Sequence, residues 1–173
     1  MWYTFFMKKR TASYIRNFVF GVEDSLVSTV GLISGIAVAG VSRSTIILTG
    51  VILILVEAFS MGVGSLLAEN SVEEYESGKE IPFVRALRGS VVMFFSYICS
   101  GTLIILPYLA FEGRDAIRYS IMIAVLSLFV LGFLSAKFAR INPWRRAVQM
   151  VAIGGLAILI GTVAGSIAEV YIS

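Results

Sequence analysis

Histidine is absent from the 173 residues, and cysteine occurs once, at Cys99. With no imidazole and no second thiol, an internal disulfide and the metal sites built from Cys and His pairs are excluded. Cys99 lies in an apolar run and reads as a small buried hydrophobe. Charge is scarce as well: 14% of residues are charged, where a soluble domain carries about 25%. The formal net charge of +3 does not point to nucleic acid, because the basic residues flank apolar segments. Without a histidine base, a cysteine nucleophile beside a base or a phosphate-binding glycine loop, the chain does not read as an enzyme. Ser25, Ser28 and Ser60 have no lysine in their segments to activate them. The N-terminus, MWYTFFMKKR, has basic residues but no apolar core before a cleavage site, so it does not read as a signal peptide.

What is present is apolar sequence, 58% of the chain, with a mean hydropathy of +0.90. Apolar runs fall near 18–41, 45–68, 89–111, 117–138 and 147–170. Each is long enough for a bilayer core of about 30 Å at a rise of about 1.5 Å per residue. The fold expected is an all-α integral membrane protein: a single membrane domain over 1–173 with five transmembrane helices and an acidic loop at 69–88. Eleven Lys and Arg flank one side of this arrangement (around 8–16, 79–88 and 137–146) and three the other. The positive-inside rule then places the N-terminus in the cytoplasm and the C-terminus outside.

Two carboxylates interrupt the first run, in FVFGVEDSLVSTVG over residues 18–31, with no basic residue among these fourteen. Asp24 lies roughly 10 Å from the cytoplasmic end of its span, and Met61, on the second span running the other way, lies roughly 12 Å deep. Glu57 is one turn from Met61 on the same face. Asp24, Ser28, Gly31 and Gly35 form a polar, small stripe, and Gly50, Glu57, Met61, Gly64 and Ala68 form another. Gly31 and Gly35, like Gly161 and Gly165 in the last span, have the spacing of a close helix crossing.

A carboxylate at mid-membrane costs about 3 kcal/mol on insertion scales. Asp24, Glu57 and Glu23 therefore call for protons or a cation. One alternative is that each is protonated and bonded to Ser28, Ser60 or a carbonyl; for Glu23, the other is that it reaches the interface. A divalent cation suits the donors: carboxylate oxygen with the Met61 thioether, lacking imidazole and thiolate, favours Fe²⁺ or Mn²⁺ over Zn²⁺. For Met61 the alternative is packing.

FGVEDSLVSTVGLISGIA in the first span and VEAFSMGVGSLLAENS in the second resemble the vacuolar iron transporter family. The likeness continues through TLIILPYL and LGFLSAKFARINPWRRAVQMVAIGGLA, covering nearly everything from Asn17 onward. The resemblance implies a homodimer of five-helix protomers that exports Fe²⁺, and often Mn²⁺, from the cytoplasm in exchange for protons. The ion path would follow the first two helices, with Asp24 and Met61 as metal ligands and no permanently bound cofactor. The partners implied are the metal ion, protons, the bilayer and a second copy. Three departures stand out. Ser25 follows the aspartate where the family has glycine. Leu53 stands where iron-transporting members have a glutamate, and Glu57, one turn nearer Met61, is positioned to replace it. The large cytoplasmic metal-binding region of many members is reduced to ENSVEEYESGKEIP. There Glu69, Glu73, Glu76 and Glu80 share a face if the second helix continues, offering metal capture at the cytoplasmic mouth, although a solvated loop is the expectation. Two other readings remain: an uncoupled divalent-cation channel, and a non-transporting membrane scaffold in metal handling. The short chain and bare N-terminus favour a prokaryotic plasma membrane.

Overall fold

The computed structural model describes residues 2–80 and 82–172; the side chains of residues 2–10, 85 and 172 lie outside the description. Of the basic residues used for orientation, the side chains of Lys8, Lys9, Arg10 and Arg85 therefore fall outside it.

Among the described residues the chain forms five helices, α1 (Trp2–Val38), α2 (Arg43–Ser77), α3 (Phe83–Ala110), α4 (Gly113–Ala139) and α5 (Pro143–Ile172). All five contain stretches long and apolar enough to cross a membrane. The connections are short and locally encoded. Ser42 caps α2, its hydroxyl accepting from the Thr45 amide at 3.3 Å. In the sequence INPW, Asn142 Oδ1 accepts from the amides of Trp144 and Arg145 at 3.1 and 3.3 Å, and Pro143 opens α5 where its missing amide is harmless. At the C-terminus of α3, Arg43 from α2 donates its Nε to the Tyr108 carbonyl at 2.7 Å and a terminal nitrogen to the Leu109 carbonyl. It thus serves carbonyls that the helix end leaves unpaired.

α1 is the central helix and touches the other four. Its inner positions Leu26 and Val30 are fully buried with Ile104 of α3, Ala124 and Leu128 of α4, and Ile158 of α5. The Gly31 and Gly35 stripe meets α5, not α2. A Cβ on Gly161 would collide with the Gly31 carbonyl, and one on Gly165 with the Gly35 carbonyl. Both pairs of glycines thus belong to one backbone-to-backbone crossing.

α2 packs chiefly on α3. Its buried residues are Ile46, Gly50, Ile54, Ala58, Gly62 and Leu66, a ridge of constant four-residue spacing. The α2 stripe drawn from the sequence is therefore split: Gly50 lies on the buried ridge, Glu57 and Met61 on its half-buried flank, and Gly64 and Ala68 on the exposed side.

Two expectations are corrected. The acidic segment is not a loop from residue 69: α2 continues through it to Ser77 and stops where Gly78 adopts φ 63°. That left-handed conformation favours glycine, and here it places the helix end. Cys99 is exposed, not buried, because it sits on the outward side of α3; in a span, that side meets lipid, and an apolar run does not distinguish lipid from core.

Candidate metal path

The acidic groups of α1 and α2 influence one another electrostatically across the flank between the two helices. Asp24, half-buried on α1, lies within electrostatic reach of Glu57 on α2 and of Glu23, its neighbour in sequence. Glu23 and Glu57 are half-buried too. No Lys or Arg occurs between residues 17 and 42 or between 44 and 78, so no basic group of α1 or α2 accompanies them at this depth. Met61, one turn from Glu57, packs against the cluster formed by Ile54, Ala58, Tyr97 and Ile105.

Tyr97 of α3 ties these groups together, and the sequence reading did not single it out. It is fully buried, and its Oη is 2.7 Å from Ser28 Oγ, one turn beyond Asp24. Its carbonyl accepts a hydrogen bond of 2.7 Å from Ser25 Oγ. Both Asp24 and Glu57 lie within electrostatic reach of the phenol. Ser25, next to Asp24 in sequence, thus anchors α1 to α3. The available signal was the location of Tyr97 in mid-span, because membrane tyrosines concentrate at the interfaces.

Among the described residues, no three His, Cys, Asp or Glu side chains come together as a group able to hold a metal ion. The groups at this level with atoms able to bind a cation are the Asp24 and Glu57 carboxylates, the Ser28 hydroxyl and the Met61 sulfur.

At the other end of α2, Glu69 is engaged. Its Oε1 accepts from Ser13 Oγ at 2.6 Å, joining the extended α2 to α1. Its Oε2 and the Nδ2 of Asn17 both lie 2.6 Å from where a Cβ on Gly89 would stand, so the two side-chain ends crowd against α3 at that glycine. Glu73 is half-buried and Glu76 exposed, and both have partners. Helical continuation to Ser77 sets Glu69, Glu73 and Glu76 along one side of α2. Glu80 lies beyond the helix end.

A family model described as the VIT family matches residues 15–81 and 79–166, most of the chain. The chain belongs to the VIT family. Similar proteins include vacuolar iron transporter 1 of Arabidopsis thaliana, 23% identical over 203 aligned positions covering 83% of this chain and 81% of that protein. Vacuolar iron transporter 1 of Tulipa gesneriana is 23% identical, covering 83% and 82%, and that of Oryza sativa subsp. japonica is 21% identical, covering 83% and 81%. Each alignment is longer than the chain itself, so these VIT relatives carry residues that this chain lacks. The two matched segments meet at residues 79–81, just past the end of α2.

The expectation of a prokaryotic plasma membrane is overturned, because the VIT relatives matched are plant proteins named for the vacuole. That expectation rested on chain length and a bare N-terminus, and neither specifies a membrane.

Proposed function

We propose that this VIT-family transporter moves Fe²⁺ and Mn²⁺ out of the cytoplasm in exchange for protons, along a path flanked by α1 and α2. Membership makes the chain a divalent-metal transporter and not an enzyme. The observation that carries the finer reading is the approach of Asp24 and Glu57 from two helices, inside the membrane, without a basic partner on either helix. Two carboxylates that neutralise one divalent ion, and take up protons when it leaves, are tolerable at that depth in both states. Fixed negative charges without either would not be. Met61 adds a sulfur ligand that suits Fe²⁺ better than Ca²⁺ or Mg²⁺.

Two carboxylates supply fewer donors than a divalent ion takes, and a homodimer in which the path lies against a second copy would add more. Ser60, Gly64 and Ala68 form an exposed small-residue stripe on α2, suited to a close helix crossing. The count of basic residues supports a cytoplasmic N-terminus, which puts Glu69, Glu73 and Glu76 at the cytoplasmic mouth, where their charge would draw in cations.

Inside-out vesicles loaded with a pH dye test this directly. Wild type should take up Fe²⁺ or Mn²⁺ with protons moving the other way, and Asp24→Asn should abolish both while the protein still inserts and assembles. Undiminished uptake by Asp24→Asn removes that residue from the mechanism, and metal flux without proton movement replaces exchange with an uncoupled channel.

A further inference from the structure

Between α1 and α3, away from the metal path, lies an open groove of about 500 Å³. Phe18 and Val22 of α1 line it together with Val92, Phe95 and Cys99 of α3. Along α3 it extends from Val92 to Ser100, a rise of about 12 Å. Ser96 and Ser100 also line it, yet neither offers it a donor. Ser96 Oγ donates to the Val92 carbonyl at 2.6 Å, and Ser100 Oγ to the Ser96 carbonyl at 2.6 Å. With both hydroxyl protons turned back into α3, the lining is hydrocarbon and one thiol. A closely crossing helix would want small residues here; Phe18 and Phe95 stand there instead, 48% and 58% exposed.

Charge enters at one end only. No charged residue occurs on α3 between Gly89 and Ala110, but Arg88 stands one turn before Val92 and two before Phe95, on the same face. It is exposed and has no acidic partner among the described residues. Glu69 meets α3 at the neighbouring Gly89, about 100° round the helix, and its carboxylate accepts from Ser13. α1, α3 and α5 run in the same direction, so Arg16 and the exposed Lys137, Arg140 and Arg145 lie at the same end of the bundle as Arg88. No acid occurs between residues 116 and 168 to offset the last three.

We propose that this groove is a site for one anionic phospholipid, an acyl chain lying along α3 from Val92 to Ser100 and the phosphate held by Arg88. Basic side chains at the membrane boundary beside a gap between spans select anionic headgroups, and a guanidinium grips phosphate through two N–H donors at once. A zwitterionic lipid offers the groove the same chain but brings a second cation to an end that is already positive. The site does not rest on the exchange reading, because none of its residues belongs to the metal path.

Two readouts on the full chain test the proposal. In nanodiscs, phosphatidylglycerol carrying a mid-chain diazirine should, on illumination, label the segment from Val92 to Ser100 at least about fivefold more than phosphatidylcholine with the same chains. Arg88→Gln, a surface change, should erase that difference. In native mass spectrometry, wild type should retain one phosphatidylglycerol per protomer, and Cys99→Trp, which fills the groove, should lose it. Equal labelling of wild type by the two lipids, a preference that survives Arg88→Gln, or phosphatidylglycerol retained by Cys99→Trp overturns the proposal. Should Cys99→Trp fold poorly, the labelling of wild type and Arg88→Gln decides alone.

Discussion

If Asp24 and Met61 both serve the proposed path, they do so through different chemistry, and single substitutions separate them. Met61→Leu nearly conserves volume, so the cluster around Tyr97 should lose less than about 1.5 kcal/mol. The thioether goes, however, and Fe²⁺ affinity should fall more than Mn²⁺ affinity, because Mn²⁺ prefers oxygen. Competition between the two ions for uptake measures this; an unchanged ratio makes Met61 a packing residue. Tyr97→Phe keeps the ring and deletes the bond to Ser28, which should lower stability by about 1 kcal/mol and weaken metal binding beside Asp24. Titration of metal binding set against thermal unfolding separates the two effects. Asp24 was legible in the sequence because an acid in an apolar run is costly and demands a reason. Tyr97 was not, because its importance depends on α3 lying between α1 and α2, and helix adjacency is not written in any local pattern. Cys99 misled for a related reason: membrane helices are apolar on both their lipid and their core faces.

At the level of helices, the glycine stripes announce a crossing without naming the partner. Gly31 and Gly35 have the spacing, and so do Gly161 and Gly165; only the fold brings the two pairs together. Gly161→Ala would push a methyl into the Gly31 carbonyl, backbone that cannot rotate away, and should destabilise the bundle by about 1–3 kcal/mol. Gly64→Ala, with open space around it within one chain, should leave the protomer's stability nearly unchanged. Comparing their thermal unfolding in the same detergent checks the crossing, and equal effects would refute it. The five spans themselves were plain from apolar length. The extension of α2 through ENSVEEYES was not: its stacked glutamates argue against helix, and the tie from Ser13 to Glu69 that supports it comes from a residue more than fifty positions away.

For the molecule as a whole, the face of α2 left bare by its packing on α3 is the clue to assembly. Phe59, Ser60, Val63, Gly64, Leu67 and Ala68 are all exposed there, and Phe59 retains 67% of its surface. Apolar exposure alone means little in a bilayer, since lipid covers it as well as protein would. The small residues are the informative part: Ser60, Gly64 and Ala68 form a groove along which another backbone can approach, and a lipid-facing helix has no need of one. Glu57 and Met61 border that groove at the level of Asp24, so a second copy seated in it would bring its own acids and sulfur to the same place. A twofold axis there would bring the carboxylates and thioethers of two chains together. With Cys99 replaced by serine to remove the one native thiol, cysteines at Ser60 or Gly64 should form covalent dimers on mild oxidation in membranes. A cysteine at Phe95, exposed on α3, should not. Added Mn²⁺ should change the yield at Ser60, since an ion bound between the two copies would alter their approach. Cross-linking at Phe95 in preference to Ser60 and Gly64 would move the interface to α3 and leave Asp24 and Glu57 to bind metal within a single protomer.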